Sequence, residues 1–256
     1  MLIGISLGTL GSGGSILTVP IMVYLLHISP VAATGYSLFV VGLTSLFGWA
    51  TYMRKKLVHL KTALIFALPS LVSVFLTRRY LMPHIPDVIF SSGNFTLDKN
   101  LFIMLLFAVL MVVVAYNMIK NKNYREQENA ATPHYSYIII IGFFTGILTG
   151  IVGIGGGFLI IPALVFFARI PIKMSVGTSL MIIAANSFIG FAGEISSGVF
   201  INWMFLLKFS AFSILGIAVG SKISSRLSSE ELKRGFGWFV LVMGVAILVR
   251  ELLVFS

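Results

Sequence analysis

The chain has 256 residues, of which 58% are hydrophobic and 10% are charged, and its mean hydropathy is +1.03. A soluble domain of this length needs a charged surface, so the composition excludes one and predicts a protein whose solvent is the lipid bilayer. The net charge of +10 is predicted to set membrane orientation rather than to bind nucleic acid, because the Lys and Arg residues fall in short segments between apolar runs. Disulfides, thiolate metal sites and cysteine nucleophiles are excluded, because the chain has no cysteine.

The predicted elements form the same series twice along the chain. The first copy, 1–119, begins with an apolar segment interrupted by glycines, followed by three plainer apolar helices: 1–26, then 32–52, 60–78 and 101–119. A polar linker follows at 120–134. The second copy, 135–256, repeats the series: 135–168, then 174–193, 202–227 and 231–255. About 20 apolar residues cross the hydrocarbon core, so the three plain helices of each copy are predicted to span it.

An internal duplication supports this division. Residues 11–49 align with residues 153–191 at a constant offset of 142, without a gap and with 12 identities in 39 positions. Apolar composition alone produces chance matches of Leu and Ile, but it does not align three glycines and a proline within ten residues. The matched set is Gly11, Gly13, Gly14 and Pro20 with Gly153, Gly155, Gly156 and Pro162. The two copies are therefore predicted to be repeats of one unit.

The basic residues of the loops distinguish two topologies for the glycine-broken segment 135–168. If the segment crosses the membrane once, the loop Lys and Arg residues divide 9 to 8 between the two sides. If it enters and leaves on one side, they divide 13 to 4, which is the bias expected of cytoplasmic loops. The second topology leaves three crossings per copy. It predicts an all-α transmembrane bundle of two inverted repeats with a cytoplasmic linker. A parallel repeat with a kinked single crossing is the alternative.

Glycine-rich turns occupy both broken segments, at Gly11–Ser15 and Gly153–Gly157. A dinucleotide site is excluded, because no strand precedes either turn. Within a membrane, such glycines either allow close helix packing or break a helix so that its N-terminal N–H groups face a buried ligand. Those unpaired donors and the positive end of the helix dipole favour an anion. The predicted substrate-binding residues of the turns are Gly13, Gly14, Ser15, Gly155, Gly156 and Gly157.

The helices after the turns add hydroxyl and amide side chains that are predicted to complete an oxyanion shell: Thr34, Ser37 and Thr44, and Thr178, Ser179 and Asn186. Ordinary hydrogen bonding between helices is the alternative. Glu194, near the end of the sixth segment, is a candidate for proton coupling, and Lys208 is interpreted as the basic residue inside a helix. No metal site is predicted, because the histidines occur singly. No enzyme is predicted either, because no helix face carries paired carboxylates.

A family resemblance rests on the doubled turns and the motifs that follow them. The sequences GSGGSILTVP and GIGGGFLIIP, followed by Gly35-Tyr-Ser-Leu38 and Gly177-Thr-Ser-Leu180, resemble the sulfite exporter TauE/SafE family, also called the toluene-sulfonate uptake permeases. The resemblance spans nearly the whole chain. The first turn departs from the triple glycine, because Ser15 stands where the second turn has Gly157. This difference puts equal roles for the two turns in doubt.

The resemblance implies a transporter of small sulfur-containing anions, such as sulfite or organosulfonates, in a bacterial inner membrane, without a bound cofactor. The leading hypothesis is a secondary exporter that works by alternating access around a site at the bilayer midplane. A passive anion channel and a membrane scaffold whose glycines only pack helices are the alternatives. The expected partners are a small anion and the lipid bilayer, with homo-oligomerisation left open.

Overall fold

A computed structural model describes residues 1–11, 13–92, 95–120, 135–152, 157–195 and 201–255. Among these residues, six helices are long and apolar enough to cross a membrane. They are Pro30–Arg54, Leu60–His84, Lys99–Lys120, Ile172–Ile195, Trp203–Arg226 and Ser229–Leu253. The prediction of an all-α multi-pass membrane protein is confirmed. The linker prediction at 120–134 falls almost wholly outside the described residues.

The elements of the first copy begin with two short helices, α1 (Leu2–Leu10) and α2 (Gly13–Pro20), and α2 continues as a π-helical turn, Ile21–Leu25. After α3 (Pro30–Arg54) comes α4 (Leu60–Leu76), which runs through a π-helical turn, Thr77–Leu81, into α5 (Met82–His84). The strands β1 (Val88–Ser92) and β2 (Phe95–Asp98) precede α6 (Lys99–Lys120). The second copy contains α7 (Tyr135–Val152), α8 (Gly157–Phe166), α9 (Ile172–Ile195), α10 (Trp203–Arg226) and α11 (Ser229–Phe255).

Helix starts are set by local capping residues. The side chain of Ser29 accepts a hydrogen bond from the N–H of Ala32, and Pro30 occupies the first turn of α3, where its missing N–H costs nothing. The side chains of His59 and Asn202 cap α4 and α10 in the same way, each by accepting from the N–H three residues later. These two caps start the equivalent helices of the two copies at matching points.

A short β-hairpin between α5 and α6 was not predicted from the sequence. Its strands pair antiparallel, with Val88 opposite Asp98 and Phe90 opposite Leu97. The carboxylate of Asp98 accepts a hydrogen bond from the N–H of Leu101 at 2.9 Å and so caps the first turn of α6. The Lys99 ammonium donates to the carbonyl oxygen of Met82 at 2.6 Å. These contacts tie the hairpin to both neighbouring helices.

The first helix of each copy packs on a helix of the other copy, and glycines allow the close approach. In α7, Gly142 lies against the backbone of Phe66 and Gly150 lies against Thr77, so α7 runs parallel to α4. In α1, Gly4 lies against Ser213 of α10, and Gly8 lies against Gly220, so the contacts advance in the same direction along both helices. Thus α1 packs on α10 as α7 packs on α4. The glycines leave room for the partner backbone that a side chain would fill.

Equivalent helices of the two copies also pack on each other, and they do so antiparallel. Helices α3 and α9 meet at Gly42 and Ser187, and the contacts on either side run in opposite directions, at Gly35 with Glu194 and at Gly48 with Leu180. Helices α6 and α11 behave alike, with Gly237 against Met118 and Gly244 against Met111. The α3–α9 crossing lies at the centre of the described helices.

Helix α9 also packs along α4, in the same direction. The amide of Asn186 donates to the hydroxyl of Ser70, and Gly193 lies against Arg78 further along both helices. Since α7 also runs parallel to α4, α7 and α9 share one direction, and α8 connects them. Large apolar side chains cover the outer faces of the bundle, for example Leu68, Phe212 and Val242, which are 61–63% exposed. Such faces suit contact with lipid.

Candidate functional site

The two broken segments approach each other inside the bundle. Helix α1 ends at Gly11, whose φ of +72° is a left-handed conformation that glycine adopts without strain, and its N–H donates to the carbonyl of Leu7 at 2.8 Å. A side chain at Gly11 would meet Ile161 of α8 and Val176 of α9. Ile161 is four residues after the start of α8, so the first break lies about 6 Å along the α8 axis from Gly157. The start of α8 is therefore about one turn away from the first break.

Each break is followed by a half-helix, α2 in the first copy and α8 in the second. The predicted turn residues that the structure describes lie in the first turns of these two half-helices. Gly13, Gly14 and Ser15 open α2, and Gly157 opens α8, where it is buried. Gly155 and Gly156 lie outside the described residues. The first N–H groups of a helix have no partner within the helix, and they carry the positive end of its dipole. Helices α2 and α8 contact each other, so these two starts belong to one region of the bundle.

The predicted hydroxyl side chains are fully buried, but the structure does not bring them to one place. Ser37 lies towards one end of the α3–α9 crossing, whereas Thr178 and Ser179 lie towards the other end, roughly 20 Å away along the helices. The hydroxyls of Ser37, Thr44, Thr178 and Ser179 donate to carbonyl oxygens of their own helices, at 2.6–2.9 Å. The Thr178 hydroxyl also accepts from the N–H of His59, at 2.9 Å.

A small polar cluster lies where α3 crosses α9, and it includes two of the predicted residues, Thr44 and Asn186. The Asn186 amide nitrogen donates to the Ser70 hydroxyl at 2.6 Å, but its oxygen has no hydrogen-bond partner among the described residues. The hydroxyls of Ser45 and Ser187 are also buried there without a partner in the described part of the chain. An unpaired buried polar atom costs about 1–3 kcal/mol. The cluster therefore has spare hydrogen-bonding capacity for water or a polar solute.

The sequence pattern also singles out Ser45 and Ser187, which were not among the predicted site residues. Ser45 and Ser187 are one of the identical pairs at the offset of 142, but neither belonged to the predicted site. Their positions in the structure are equivalent, one on each helix of the α3–α9 crossing. Identity between the two copies at a polar residue inside an apolar helix would have singled them out.

A buried ion pair joins α9 to the π-helical turn that follows α4. The Arg78 Nη1 donates to the Glu194 Oε2 at 3.1 Å and to the Thr34 hydroxyl at 3.2 Å. Arg78 is 1% exposed and Glu194 is 7% exposed. Gly35 lies against the Glu194 carboxyl group, and a side chain at that position would press on it. The glycine of the Gly35–Leu38 motif therefore gives the ion pair room.

The prediction that Lys208 lies inside a helix is confirmed, because it belongs to α10, but Arg78 was missed as a second basic residue inside a helix. The third segment was predicted at 60–78, which places Arg78 at its end. In the structure the helix continues to His84, because Tyr80, Leu81 and Met82 extend the apolar run, and Lys208 is exposed. Arg78, by contrast, is buried, and Glu194 neutralises its charge. No group of three or more His, Cys, Asp or Glu side chains with metal-site geometry occurs among the described residues.

Comparisons with known proteins agree along the whole chain. A sequence model of the family described as "Sulfite exporter TauE/SafE" matches residues 1–247. A probable membrane transporter protein of Xylella fastidiosa (strain Temecula1) is 30% identical over 259 residues, which cover 98% of this chain and 92% of that protein. The probable membrane transporter protein YunE of Bacillus subtilis (strain 168) is 29% identical, covering 91% of this chain and 90% of YunE. A probable membrane transporter protein of Methanocaldococcus jannaschii is 24% identical, covering 97% and 94%. No solved structure matches this chain.

Proposed function

Because this chain belongs to the sulfite exporter TauE/SafE family, we propose that it is a secondary carrier that exports a small sulfur-containing anion, such as sulfite or an organosulfonate. The family and the six apolar helices make it a multi-pass membrane transporter. The relatives are named only as probable membrane transporter proteins, so their names give no substrate. The choice of substrate rests on the family description and on the chemistry of the two helix starts.

The observation that carries the proposal is the approach of the two half-helix starts. Gly11, at the break between α1 and α2, lies against Ile161, one turn into α8. Two sets of unpaired N–H groups in one buried region attract negative charge without needing a lysine or arginine at the same point. Glycines at these starts leave the backbone open to a ligand. A small oxyanion, with several acceptor oxygens around one centre, suits such donors.

The polar cluster at the α3–α9 crossing lies roughly 15 Å along α9 from Val176, which Gly11 approaches, and provides a second polar region on the proposed path. Thr44 and Asn186 supply polar groups there, and the Asn186 oxygen and the Ser45 hydroxyl are buried without a hydrogen-bond partner among the described residues. A hydroxyl donates to an anion, whereas the Asn186 oxygen accepts from water or from a protonated form of the substrate. Thr178 and Ser179 follow Val176, which Gly11 approaches, so they lie near the two helix starts, whereas Ser37 lies towards the opposite end of the α3–α9 crossing.

The two copies work as inverted repeats that rock around this region. Two observations support the arrangement. Equivalent helices, α3 with α9 and α6 with α11, cross antiparallel, as inversion about an axis in the membrane plane requires. Helices α7 and α9 share one direction, so the connecting half-helix α8 returns to the side from which α7 entered. This path agrees with the topology that the 13-to-4 division of basic residues favours, in which the segment 135–168 enters and leaves the membrane on one side.

Glu194 couples anion movement to proton movement. Its carboxylate is buried within the bundle and pairs with Arg78, the charged group that contacts it among the described residues. An oxyanion arriving near this neutral pair adds a negative charge in a medium of low dielectric constant, which is unfavourable unless a proton arrives as well. Protonation of Glu194 restores neutrality. Glu194→Gln is expected to uncouple anion flux from an imposed proton gradient.

A thermal-stability screen of the purified protein tests the proposed substrate class. A ligand that binds only the folded state stabilises it, by about 2.7 kcal/mol at a concentration 100 times its Kd. We expect sulfite or a sulfonate to raise the unfolding temperature, with chloride and neutral sugars as controls. Gly157→Leu, which places a large side chain at the start of α8, is expected to abolish the shift. Gly235→Leu is the matched control, because among the described residues no atom beyond its chain neighbours and its own helix backbone lies within 4 Å of a Cβ at that position.

The alternatives give different results in the same screen and in a flux assay. A folded protein whose unfolding temperature responds to no oxyanion would contradict the proposal and favour the scaffold. A selective shift together with purely downhill flux would favour a channel. A selective shift together with exchange of solute across the membrane supports the carrier.

A further inference from the structure

Arg78 is a cation buried in the bundle with only part of its guanidinium group in use. Its Nη1 makes both of its hydrogen bonds, to Glu194 and to Thr34. Its Nε and Nη2 are buried and have no hydrogen-bond partner among the described residues. The guanidinium group of arginine carries its positive charge throughout the physiological pH range, and a buried N–H donor without a hydrogen-bond partner costs free energy.

The two unpaired nitrogens form one edge of the guanidinium plane. The Nε–H and the nearer Nη2–H point in the same direction, and this pair of donors binds two oxygens of a carboxylate, phosphate or sulfonate side by side. Lysine has no such planar pair of donors. The free edge of Arg78 is thus a preformed, desolvated fork for an oxyanion. Glu194 occupies only the nitrogen at the other end.

The ion pair joins the two copies of the repeat, with Arg78 from the first and Glu194 from the second, and the equivalent positions at the other end of the bundle carry uncharged residues. At the offset of 142, the counterpart of Glu194 is Tyr52, whose hydroxyl donates to the carbonyl of Gly8 at 2.9 Å. Counted from the helix caps His59 and Asn202, the counterpart of Arg78 is Ser221. The duplicated scaffold therefore does not itself require a salt bridge at this place. A role specific to this end of the bundle explains why the charged pair is kept here.

We propose that the free Nε/Nη2 edge of Arg78 binds the transported oxyanion and that Glu194 is the internal anion that competes with it. This inference rests on the proposed function and adds to it a second recognition point, about 27 Å along α9 from Val176, which Gly11 contacts. When Glu194 holds Arg78, the pair is neutral and the attraction for a second anion is small. When Glu194 is neutral, the full positive charge and the fork are available to the substrate. Arg78 and Glu194 are both distinct from the glycines and hydroxyl residues of the site described above.

The proposal predicts effects of opposite sign for the two partners. Glu194→Gln keeps a hydrogen-bond acceptor beside Nη1 but removes the competing charge, so sulfite is expected to bind about tenfold more tightly or better. Arg78→Gln combined with Glu194→Gln removes the fork and leaves no unpaired charge behind. Binding is then expected to weaken by about 10- to 100-fold, the range that charge-assisted hydrogen bonds supply. Arg78→Lys, which keeps the pair with Glu194, is expected to weaken binding by about tenfold.

The experiment measures the equilibrium binding of radiolabelled sulfite to the purified full chain and its variants, each first checked for cooperative thermal unfolding. Arg79→Gln is the matched control, because it removes the neighbouring arginine, whose side chain is exposed, and it is expected to bind like the wild type. Tighter binding by Glu194→Gln and weaker binding by the double variant support the proposal. Binding by the folded double variant equal to that of the wild type would overturn it while leaving the carrier intact. Absence of oxyanion binding by the wild type itself would instead contradict the proposed function.

Discussion

His27 and Arg169, which are 142 residues apart, have the same left-handed backbone conformation, with φ values of 54° and 53°. Each follows the half-helix of its copy. The next residue, Ile28 or Ile170, donates its N–H to the carbonyl six residues earlier, at 3.0 and 3.2 Å. Positive φ is uncommon for residues other than glycine. Its recurrence at equivalent positions means that the duplication extends to the detail of the backbone, beyond the glycines that revealed it.

Close packing of α7 on α4 is expected to depend on Gly146. A Cβ atom at this position would lie 2.5 Å from the backbone oxygen of Ser70, and the backbone cannot move aside cheaply. Gly146→Ala is therefore expected to lower the stability by about 1–3 kcal/mol, the cost typical of overpacking. Thermal unfolding in detergent measures the change.

The control for this substitution is Gly235→Ala on α11. Among the described residues, no atom beyond its chain neighbours and its own helix backbone lies within 4 Å of a Cβ at Gly235, so alanine there is expected to be neutral or to stabilise the helix by up to about 1 kcal/mol. Equal unfolding temperatures for the two alanine variants would contradict the packing described for α4 and α7.

The hydrogen bond from Tyr52 to Gly8 is expected to hold α1 against α3. Tyr52 is 2% exposed, and loss of its hydroxyl leaves the Gly8 carbonyl oxygen buried without this hydrogen-bond donor. Tyr52→Phe is expected to cost about 1–3 kcal/mol in stability. Tyr116→Phe, at a tyrosine that is 57% exposed, serves as the control and is expected to have little effect. A Tyr52→Phe protein as stable as the control variant would show that the bond contributes nothing.

The end of the first half-helix is tied to α11 by Tyr24. Its hydroxyl donates to the Glu251 carboxylate at 2.6 Å, and the Arg250 guanidinium lies 3.7 Å from the centre of its ring. Tyr24→Phe removes the hydrogen bond but keeps the ring, so local opening of residues 13–25 is expected to become more frequent. Hydrogen–deuterium exchange is expected to speed up in that segment. Tyr80→Phe, at an exposed tyrosine, is the control. Unchanged exchange in 13–25 would show that α2 is held by other contacts.

Labelling of single cysteines tests the predicted orientation, and the chain suits the method because it has no cysteine of its own. The division of basic residues predicts that the linker at 120–134 is cytoplasmic and that the segment before α6 lies on the other side. A membrane-impermeant thiol reagent applied outside cells is expected to label Ser91→Cys but not Asn129→Cys. Labelling in the reverse pattern would overturn the charge argument. Labelling of both in intact cells would place both segments outside and contradict the single crossing by α6.

Much of the fold can be predicted from the sequence, because a segment that crosses the bilayer must be a long, continuous run of apolar residues. Runs of apolar residues of spanning length predicted the six long helices, and repeated glycines predicted the broken segments. The β-hairpin was missed, because Val88–Ser92 and Phe95–Asp98 are too short to be distinguished from a loop by alternation alone. The continuation of the third helix to His84 was missed, because two adjacent arginines look like the end of a membrane span.

The candidate site was only partly predictable, for a related reason. Glycine and serine patterns indicate which helix positions are special, but they do not say which residues meet across the bundle. Ser37 and Ser179 were grouped by repeat position, yet the antiparallel packing of α3 on α9 separates these equivalent residues towards opposite ends. The Arg78–Glu194 pair spans 116 positions of the chain, and only the packing of α9 along α4 brings the two side chains together. Long-range pairing of this kind leaves no local pattern.

Solute counterflow in proteoliposomes tests the central claim most directly. Vesicles containing the purified protein are loaded with unlabelled sulfite and diluted into a trace of radiolabelled sulfite, with chloride-loaded vesicles and the Gly157→Leu protein as controls. A carrier that alternates between two sides is expected to accumulate the label transiently inside sulfite-loaded vesicles, and neither control is expected to do so. Entry of the label at the same rate into sulfite-loaded and chloride-loaded vesicles, or no entry into either, would contradict an alternating-access carrier for this anion.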